Sequence, residues 1–308
     1  MKVLVTGGKG VIGSSLVKEL EERGHEVWVC DLKHSHENRY YRCDIGKYRQ
    51  LLEIFHKERF DYVYHLAAEY GRWNGEDFYE DLWISNVVGS KNMLRMQHKY
   101  GFKMIFTSSS EVYGDYDGRM FENIMEEIEI KQLNDYAISK WVNELQILNA
   151  QNMFGNEVVR VRLFNTYGPG EFYTPYRSAI SIFAYHAIKD LPYTVYLNHQ
   201  RSSVFIDDCC SALANIIDNF KPGEVYNIAG TELHSMKDIS DMILKYLNKN
   251  DQRVIYEAQE KFTTAIKLPD SSKASKDLNY KPNILLQEGI PRTIEWMRKY
   301  YMLNKEMS

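Results

Sequence analysis

The chain has 308 residues, 44% of them hydrophobic and 26% charged, and a formal net charge of −4 at pH 7. These values are ordinary for a soluble globular enzyme, and the length allows one large α/β domain with a smaller partner. The weak negative charge argues against a nucleic-acid or anionic-membrane surface, and no apolar run approaches the ~18 residues of a membrane span.

Since Met1 leads directly into the first predicted strand, we expect a cytoplasmic protein without a targeting peptide. We expect no metal site, because the cysteines lack metal-ligand spacing: Cys30, Cys43, Cys209 and Cys210.

The N-terminal segment reads as strand, glycine turn, helix and strand. An apolar, β-branched run at residues 2–6 breaks into Gly7, Gly10 and Gly13, an amphipathic helical pattern follows, and a second apolar run ends at Asp31. This order predicts a dinucleotide-binding βαβ unit.

Each part of this unit has a physical reason. Glycine tolerates positive φ and lets the backbone approach a pyrophosphate, while the helix N-terminus offers unpaired N–H groups to that anion. Asp31 lies 18 residues after Gly13, near the ~20 expected for the acid that binds a ribose diol. Because its carboxylate would repel a 2′-phosphate, we predict NAD rather than NADP.

Strand and helix patterns alternate along the rest of the chain, which predicts a doubly wound parallel sheet of the Rossmann type. Predicted strands cover residues 2–6, 26–30, 60–68, 103–107, 157–164, 193–197, 203–206 and 224–228. Predicted helices cover residues 14–23, 47–58, 83–100, 178–189, 208–220, 234–247 and 287–301, with one more around residue 136 and a loop at 114–133. We predict a Rossmann domain at 1–168, to which 203–221 returns, and a smaller mixed α/β C-terminal substrate domain at 169–308.

A second motif lies on the helix that carries Tyr136 and Lys140. Four residues make about one helical turn, so the phenol and the ammonium project from the same face. A neighbouring ammonium favours the phenolate, so we expect Lys140 to lower the pKa of Tyr136 and make it a usable base near neutral pH.

With these two motifs in place, the chain resembles the extended short-chain dehydrogenase/reductase family of NAD-dependent nucleotide-sugar epimerases and dehydratases. The motifs that carry the resemblance run in the family's order over nearly the whole chain. They are TGGKGVIG (6–13), Asp31, Asp44-Ile45, HLAA (65–68), Asn86, TSSSEVYG (107–114), YAISK (136–140), RLFNTYGPG (162–170), RSSVFIDD (201–208) and VYNIAG (225–230).

The resemblance implies roles for these residues. The expected NAD-binding residues are Gly7, Gly10, Val11, Ile12, Gly13, Asp31, Asp44, Ile45, Leu66, Ala67, Ala68, Asn86, Tyr136 and Lys140. The expected catalytic residues are Ser109, Ser110, Glu111, Tyr136 and Lys140, with Tyr136 as the base for a sugar hydroxyl. The expected nucleotide-sugar-binding residues are Glu69, Arg72, Asn165 and Arg201.

The family chemistry implied by the resemblance passes through a transient 4-keto sugar, with NAD recycled. Glu111 then fits a base at C5, as in an epimerase or dehydratase, although Ser110 stands where dTDP-glucose dehydratases carry an acidic proton donor. The alternative is decarboxylation of a nucleotide uronic acid, with Arg201 or Arg72 on its carboxylate. A non-catalytic NAD-sensing regulator is a third interpretation, which the presence of Tyr136 and Lys140 disfavours. The resemblance also implies a homodimer, and the sequence leaves the nucleotide and the sugar open.

Overall fold

The computed structural model describes residues 1–303 as alternating strands and helices. The strands are β1 (Lys2–Thr6), β2 (Glu26–Asp31), β3 (Tyr40–Arg42), β4 (Tyr62–His65), β5 (Lys103–Ser109), β6 (Arg119–Met120), β7 (Val158–Leu163), β8 (Thr166–Tyr167), β9 (Tyr193–Tyr196), β10 (Gln200–Ser202), β11 (Val204–Phe205), β12 (Val225–Ile228), β13 (Leu233–Ser235), β14 (Val254–Glu257) and β15 (Ile266–Pro269). The helices are α1 (Val11–Glu22), α2 (Tyr48–Lys57), α3 (Arg72–Asp77), α4 (Tyr79–Leu82), α5 (Gly89–Tyr100), α6 (Ile124–Glu127), α7 (Asp135–Phe154), α8 (Ala179–Lys189), α9 (Ile206–Asp218), α10 (Met236–Leu247), α11 (Ser272–Leu278) and α12 (Leu286–Leu303). A π-helical segment (Trp83–Val88) precedes α5, and a 3₁₀ turn (Ser110–Tyr113) follows β5.

The large sheet has seven parallel strands in the order β12-β7-β5-β4-β1-β2-β3. Alternate residues of β1 point to opposite faces, as strand geometry requires. Val3 and Val5 pack with helices α1 and α9, whereas Leu4 packs with α2, α5 and α7. Both faces are therefore covered by helices, and the predicted doubly wound Rossmann sheet is confirmed.

The C-terminal part contributes a four-stranded sheet in the order β13-β10-β15-β6. Its β6 and the short helix α6 lie within 114–133, so the prediction of a plain loop there was wrong. The helix α9, inside the predicted returning segment 203–221, packs on α1. The strand β12 also joins the large sheet, through its pairing with β7. The domain boundaries at 168 and 169 stay predictions.

The carboxyl ends of the central strands meet at one edge of the large sheet. Thr6 pairs in register with His65, and Ser109 pairs with Leu163. Ligands of open parallel sheets bind at this edge. Between residues 1 and 303, no helix combines the length and the apolar character that crossing a bilayer requires.

Candidate active site

Three glycines shape the turn between β1 and α1. Gly7 has φ +70°, and a Cβ added there would lie 2.8 Å from the amide nitrogen of Ala67. A Cβ on Gly13 would lie 2.2 Å from the carbonyl oxygen of Gly7, so no larger residue fits without moving backbone. No side chain caps the N-terminus at Gly10, which leaves the first N–H groups of α1 available to an anion.

A cavity of about 360 Å³ opens in front of this turn. It is lined by thirteen of the fourteen residues expected to bind NAD, namely Gly7, Gly10, Val11, Ile12, Gly13, Asp31, Asp44, Ile45, Leu66, Ala67, Ala68, Tyr136 and Lys140. Asp31 lies at the end of β2, where it accepts hydrogen bonds from the backbone N–H groups of Lys9 (3.0 Å) and Lys33 (3.2 Å). The glycine cradle, the uncapped helix end and the acid at the second strand fit a dinucleotide.

Asn86 is the one expected NAD-binding residue that does not line this cavity. It is fully buried, and its amide group bonds the backbone N–H of Glu69 (2.8 Å) and the hydroxyl of Ser139 (3.0 Å). Asn86 thus ties the loop after β4 to α7, the helix that carries Tyr136.

Tyr136 and Lys140 lie in the first two turns of α7, whose N-cap is Asn134. The Asn134 side chain accepts a hydrogen bond from the Ala137 N–H at 2.8 Å and so fixes where the helix begins. The Lys140 ammonium donates to the carbonyl oxygen of Thr107 at 3.0 Å and lies 6.0 Å from the centre of the Tyr136 ring. Lys140 therefore faces the carboxyl end of β5, and Tyr136 lines the same cavity as Ser109 at that end.

The expected pKa of Tyr136 is not what the structure gives. Burial raises the pKa of Tyr136 to about 12, with Ser109 opposing the shift and the Glu111 charge adding to it. Burial also lowers the pKa of Lys140 to about 8. The prediction that Lys140 lowers the pKa of Tyr136 was therefore wrong, because burial dominates that pKa and the Lys140 ammonium, bonded to Thr107, is not among the groups that shift it.

A buried ion cluster sets α7 against β5 and β7. Glu144 of α7 is fully buried and accepts hydrogen bonds from the Ser108 hydroxyl (2.6 Å) and from Arg162 Nη2 (2.8 Å). Arg160 reaches the same carboxylate at 3.3 Å. Because Ser108 neighbours Ser109, this cluster fixes the distance between Ser109 and α7, the helix that carries Tyr136.

A second cavity, of about 450 Å³, joins the first. Eight residues line both, and they mark the junction: Tyr70, Ser109, Tyr136, Leu163, Asn165, Thr166, Glu171 and Arg177. The expected catalytic residues Ser110 and Glu111 line only the second cavity, as does Arg72. A ligand in the second cavity would therefore meet the first one at Tyr136 and Ser109.

The comparisons with known proteins agree with this geometry. The model of the NAD-dependent epimerase/dehydratase family matches residues 3–229, which is most of the chain. The chain belongs to this family. NAD is the cofactor of the family, and the first cavity of this member is the place built to hold it.

Relatives within the family act on UDP sugars. The chain is 28% identical to the UDP-N-acetyl-α-D-glucosaminuronate decarboxylase of Bacillus cytotoxicus, over 97% of this chain and 98% of that protein. It is 27% identical to the UDP-glucuronate 4-epimerase of Thermodesulfobacterium geofontis, over 99% and 93%. The solved UDP-glucuronic acid 4-epimerase of Bacillus cereus, in complex with UDP-glucuronic acid and NAD, superposes with a TM-score of 0.85 at 25% identity, covering 98% of this chain and all of that one.

Glu111 lies on the 3₁₀ turn after β5, where its backbone N–H donates to the Ser109 hydroxyl at 3.2 Å. Its carboxylate forms an ion pair with Lys267. Burial opposes ionisation, but the charges of Lys267 and Arg72 outweigh it and hold the pKa of Glu111 at about 2. Such a carboxylate is a good hydrogen-bond acceptor and a weak base.

Three of the four expected substrate-binding residues line the second cavity. Arg72 reaches it but is ion-paired with Glu260 at 2.9 Å. Arg201 donates to the carbonyl oxygens of Ala265 (2.6 Å) and Gln200 (2.8 Å). Much of the bonding capacity of both arginines is therefore already used within the protein.

Of the other two expected substrate-binding residues, Asn165 lies at the junction and Glu69 does not. Asn165 has φ +41° and donates to the carbonyl oxygen of Ser202 at 2.9 Å. Glu69 lines the first cavity only and accepts a hydrogen bond from Asn74 at 3.0 Å. The structure thus brings Asn165 to the place expected for it and puts Glu69 on the cofactor side.

Arg177 was missed by the sequence analysis. It lines both cavities, stacks on the Tyr70 ring at 4.0 Å and, among the described residues, forms no salt bridge. Its buried Nε has no hydrogen-bond partner in residues 1–303. Arg177 belongs to no recognisable motif, and its only sequence signal is that it closely follows the RLFNTYGPG run.

Within the described residues, no three His, Cys, Asp or Glu side chains come close enough together to hold a metal ion. In the second cavity, Arg72 pairs with Glu260, and Glu111 pairs with Lys267.

The glycine cradle gives a direct prediction. We expect Gly13→Ala to raise the dissociation constant of NAD by about tenfold or more, since the new Cβ must displace the Gly7 carbonyl and a loss of 1.4 kcal/mol already amounts to tenfold. Calorimetric titration of NAD measures this, with Ser14→Ala on the exposed face of α1 as the matched control. Unchanged affinity in Gly13→Ala would contradict the assignment of the cradle.

Proposed function

We propose that the protein oxidises C4 of a nucleoside-diphosphate uronic acid and decarboxylates the resulting 4-keto sugar. The observation that carries this is Arg177, which lies at the junction of the two cavities and forms no salt bridge among the described residues, although its charge acts on the neighbouring Glu171. A planar guanidinium binds a carboxylate through two parallel hydrogen bonds. Arg177 and Tyr136 both line the junction, so a sugar placed with C4 at Tyr136 shares this space with the guanidinium.

The charge balance of the second cavity supports an anionic sugar. Arg72, Arg177 and Arg201 line it and Lys267 lies against Glu111, whereas Glu111, Glu171 and Glu260 contribute three negative charges, so one positive charge remains. The remaining positive charge favours a ligand with a carboxylate in addition to its diphosphate. The relatives named for glucuronate and glucosaminuronate support the same substrate class, with uridine as the first nucleotide to test.

The site residues divide the work of the first half-reaction. When bound, NAD⁺ supplies the hydride acceptor and a positive charge in the cavity that Tyr136 lines. Tyr136 takes the proton of the C4 hydroxyl, and Ser109 shares that proton by hydrogen bonding. Burial alone makes the phenolate costly, and the positive charge that NAD⁺ brings when bound would lower that cost.

Decarboxylation then needs no base at C5. Oxidation at C4 places a ketone β to the C6 carboxylate, so the C5–C6 bond can break with its electron pair moving to the C4 oxygen. Carbon dioxide leaves and Tyr136 gives its proton to that oxygen, which forms an enol; C5 then takes a proton from solvent while the enol proton goes back to Tyr136, which restores the ketone at C4. This route fits a Glu111 whose carboxylate is stabilised by Lys267 and takes up a proton poorly, whereas the dehydratase and C5-epimerase routes need Glu111 to accept the C5 proton.

Substrate selectivity tests this proposal. We expect kcat/KM for UDP-glucuronic acid to exceed that for UDP-glucose by about 10- to 100-fold, the value of a hydrogen-bonded charge pair. Equal values, or a preference for the neutral sugar, would contradict the proposed uronic acid.

A second candidate outcome is 4-epimerisation with the carboxylate retained, as in the named 4-epimerase relatives. Tyr136, Ser109 and NAD serve that reaction equally well, since only the fate of the ketone differs. The mass of the product separates the two outcomes.

We also propose that the protein is a homodimer. Ile84 and Val88 of the π-helical segment are 42% and 47% exposed, and Leu145 of α7 is 47% exposed. The two elements pack side by side, as the hydrogen bond between Asn86 and Ser139 shows. Their apolar side chains form one exposed face that a second copy of the chain would cover.

Sedimentation velocity checks this proposal at micromolar concentration. We expect a dimer for the natural sequence and a monomer for Leu145→Lys, because a charge in the middle of the face would be buried without a partner. Leu197→Lys, at an exposed leucine outside this face, serves as the control and should stay dimeric. A monomeric natural protein would refute the dimer.

A further inference from the structure

The ion pair of Glu111 and Lys267 joins the large sheet to the four-stranded sheet. Glu111 follows β5 of the large sheet and lines the second cavity, whereas Lys267 lies on β15 of the small sheet with its side chain only 1% exposed. The two residues are 156 positions apart in the chain. A charged lysine that is excluded from water in this way needs its carboxylate partner.

The surroundings of Lys267 make protonation of its partner, the carboxylate of Glu111, costly. Lys267 pairs in register with Arg201 of the neighbouring strand β10, so two buried cations lie side by side. Within residues 1–303, Lys267 forms no salt bridge other than that with Glu111, and the nearby Glu260 is held by Arg72. If Glu111 accepted a proton, two adjacent cations would lose their compensating charge.

We propose that Lys267 determines the fate of the C5 proton: by stabilising the carboxylate of Glu111 as its buried partner, it makes Glu111 too weak a base to take that proton from the 4-keto sugar. The inference rests on the proposed oxidation at C4, which acidifies the C5 proton. Without Lys267, the C5–H bond would break, the proton would pass to a Glu111 oxygen and the electron pair would move to the C4 oxygen. Return of a proton that has exchanged with solvent would complete the exchange at C5. Lys267 is thus a positioning residue that selects the reaction outcome.

The ionisation of Glu111 tests the first half of this inference without any turnover. Infrared difference spectra against Glu111→Gln isolate the carboxyl band of Glu111 in the ligand-free protein. We expect the natural protein to show no protonated Glu111 band down to about pH 4, because Lys267 and Arg72 hold its pKa at about 2 despite burial. Lys267→Met should raise the midpoint by about one to three pH units, the usual effect of one nearby charge, and Lys267→Arg should not.

Isotope retention tests the second half. In ordinary water with UDP-glucuronic acid deuterated at C5, we expect the natural enzyme and Lys267→Arg to keep the label in the product. Lys267→Met should lose most of it, and the double variant with Glu111→Gln should keep it. Proton NMR locates the label, and NADH absorbance shows that C4 has been oxidised.

Two results would overturn the inference: loss of the label in the natural enzyme, or identical titration of Glu111 in the natural protein and Lys267→Met. A natural enzyme that never forms NADH with the uronic acid would instead overturn the proposed function. In that event the infrared titration still decides whether Lys267 controls the ionisation of Glu111.

Discussion

Tyr136→Phe should lower kcat by about 10²- to 10⁴-fold, the usual contribution of a positioned acid–base group. Phenylalanine keeps the ring in its buried place on α7 and removes only the oxygen that takes and returns the proton of the C4 hydroxyl. The dissociation constant of NAD should stay within about threefold, since the glycine cradle and Asp31 are untouched. Stopped-flow absorbance of NADH after mixing with UDP-glucuronic acid measures the rate of oxidation at C4 directly.

The control for this variant is Tyr246→Phe, which removes a phenol oxygen from the exposed side of α10. It should keep full activity. If Tyr136→Phe formed NADH at the natural rate, another group would have to remove the hydroxyl proton, and the assignment of Tyr136 would fail.

Arg177→Met should lower kcat/KM for UDP-glucuronic acid by about 10- to 100-fold, because it removes a charged hydrogen-bond partner of the C6 carboxylate. Methionine keeps part of the apolar stem that packs on Tyr70. The value for UDP-glucose should change by less than about threefold, since that sugar has no carboxylate to lose. Steady-state kinetics gives kcat/KM for UDP-glucuronic acid and for UDP-glucose, and the two values are compared.

The pair of substrates distinguishes two roles of Arg177. An equal loss with both would show that Arg177 binds the diphosphate, which the two substrates share, and would remove the main support for a uronic acid. Arg49→Met, an exposed arginine on α2, is the matched control and should change neither value.

The parts of the site that depend on local chain geometry could be predicted from the sequence. Each of these parts lies in one turn, at one strand end or on one helix. They are the cradle of Gly7, Gly10 and Gly13, the acid Asp31, and the pair of Tyr136 and Lys140. The Rossmann sheet followed from the alternation of strand and helix patterns. NAD as the cofactor rests on the same local features and on membership of the family.

Interactions between distant segments could not be predicted in this way. The partner of Glu111 is Lys267, and only the pairing of β15 with β10 brings it beneath the cavity. The raised pKa of Tyr136 follows from burial, which no local spacing reports. Arg177 gives no pattern at all, and its importance depends on its lying where the two cavities join.

The reassignment of Glu111 follows from the same kind of contact. As a residue beside Ser109, it fits a base at C5, and the sequence favoured an epimerase or dehydratase on that ground. As the ionised partner of a buried lysine, it is a weak base, and decarboxylation is the outcome that needs none.

The most direct test is mass spectrometry of the product formed from UDP-glucuronic acid, the enzyme and NAD⁺. The account predicts a nucleotide sugar that has lost carbon dioxide, with NADH formed transiently and then returned to NAD⁺. A product of unchanged mass with an inverted configuration at C4 would show that the protein is a 4-epimerase. Loss of water, or no reaction with the uronic acid while UDP-glucose is converted, would contradict the account.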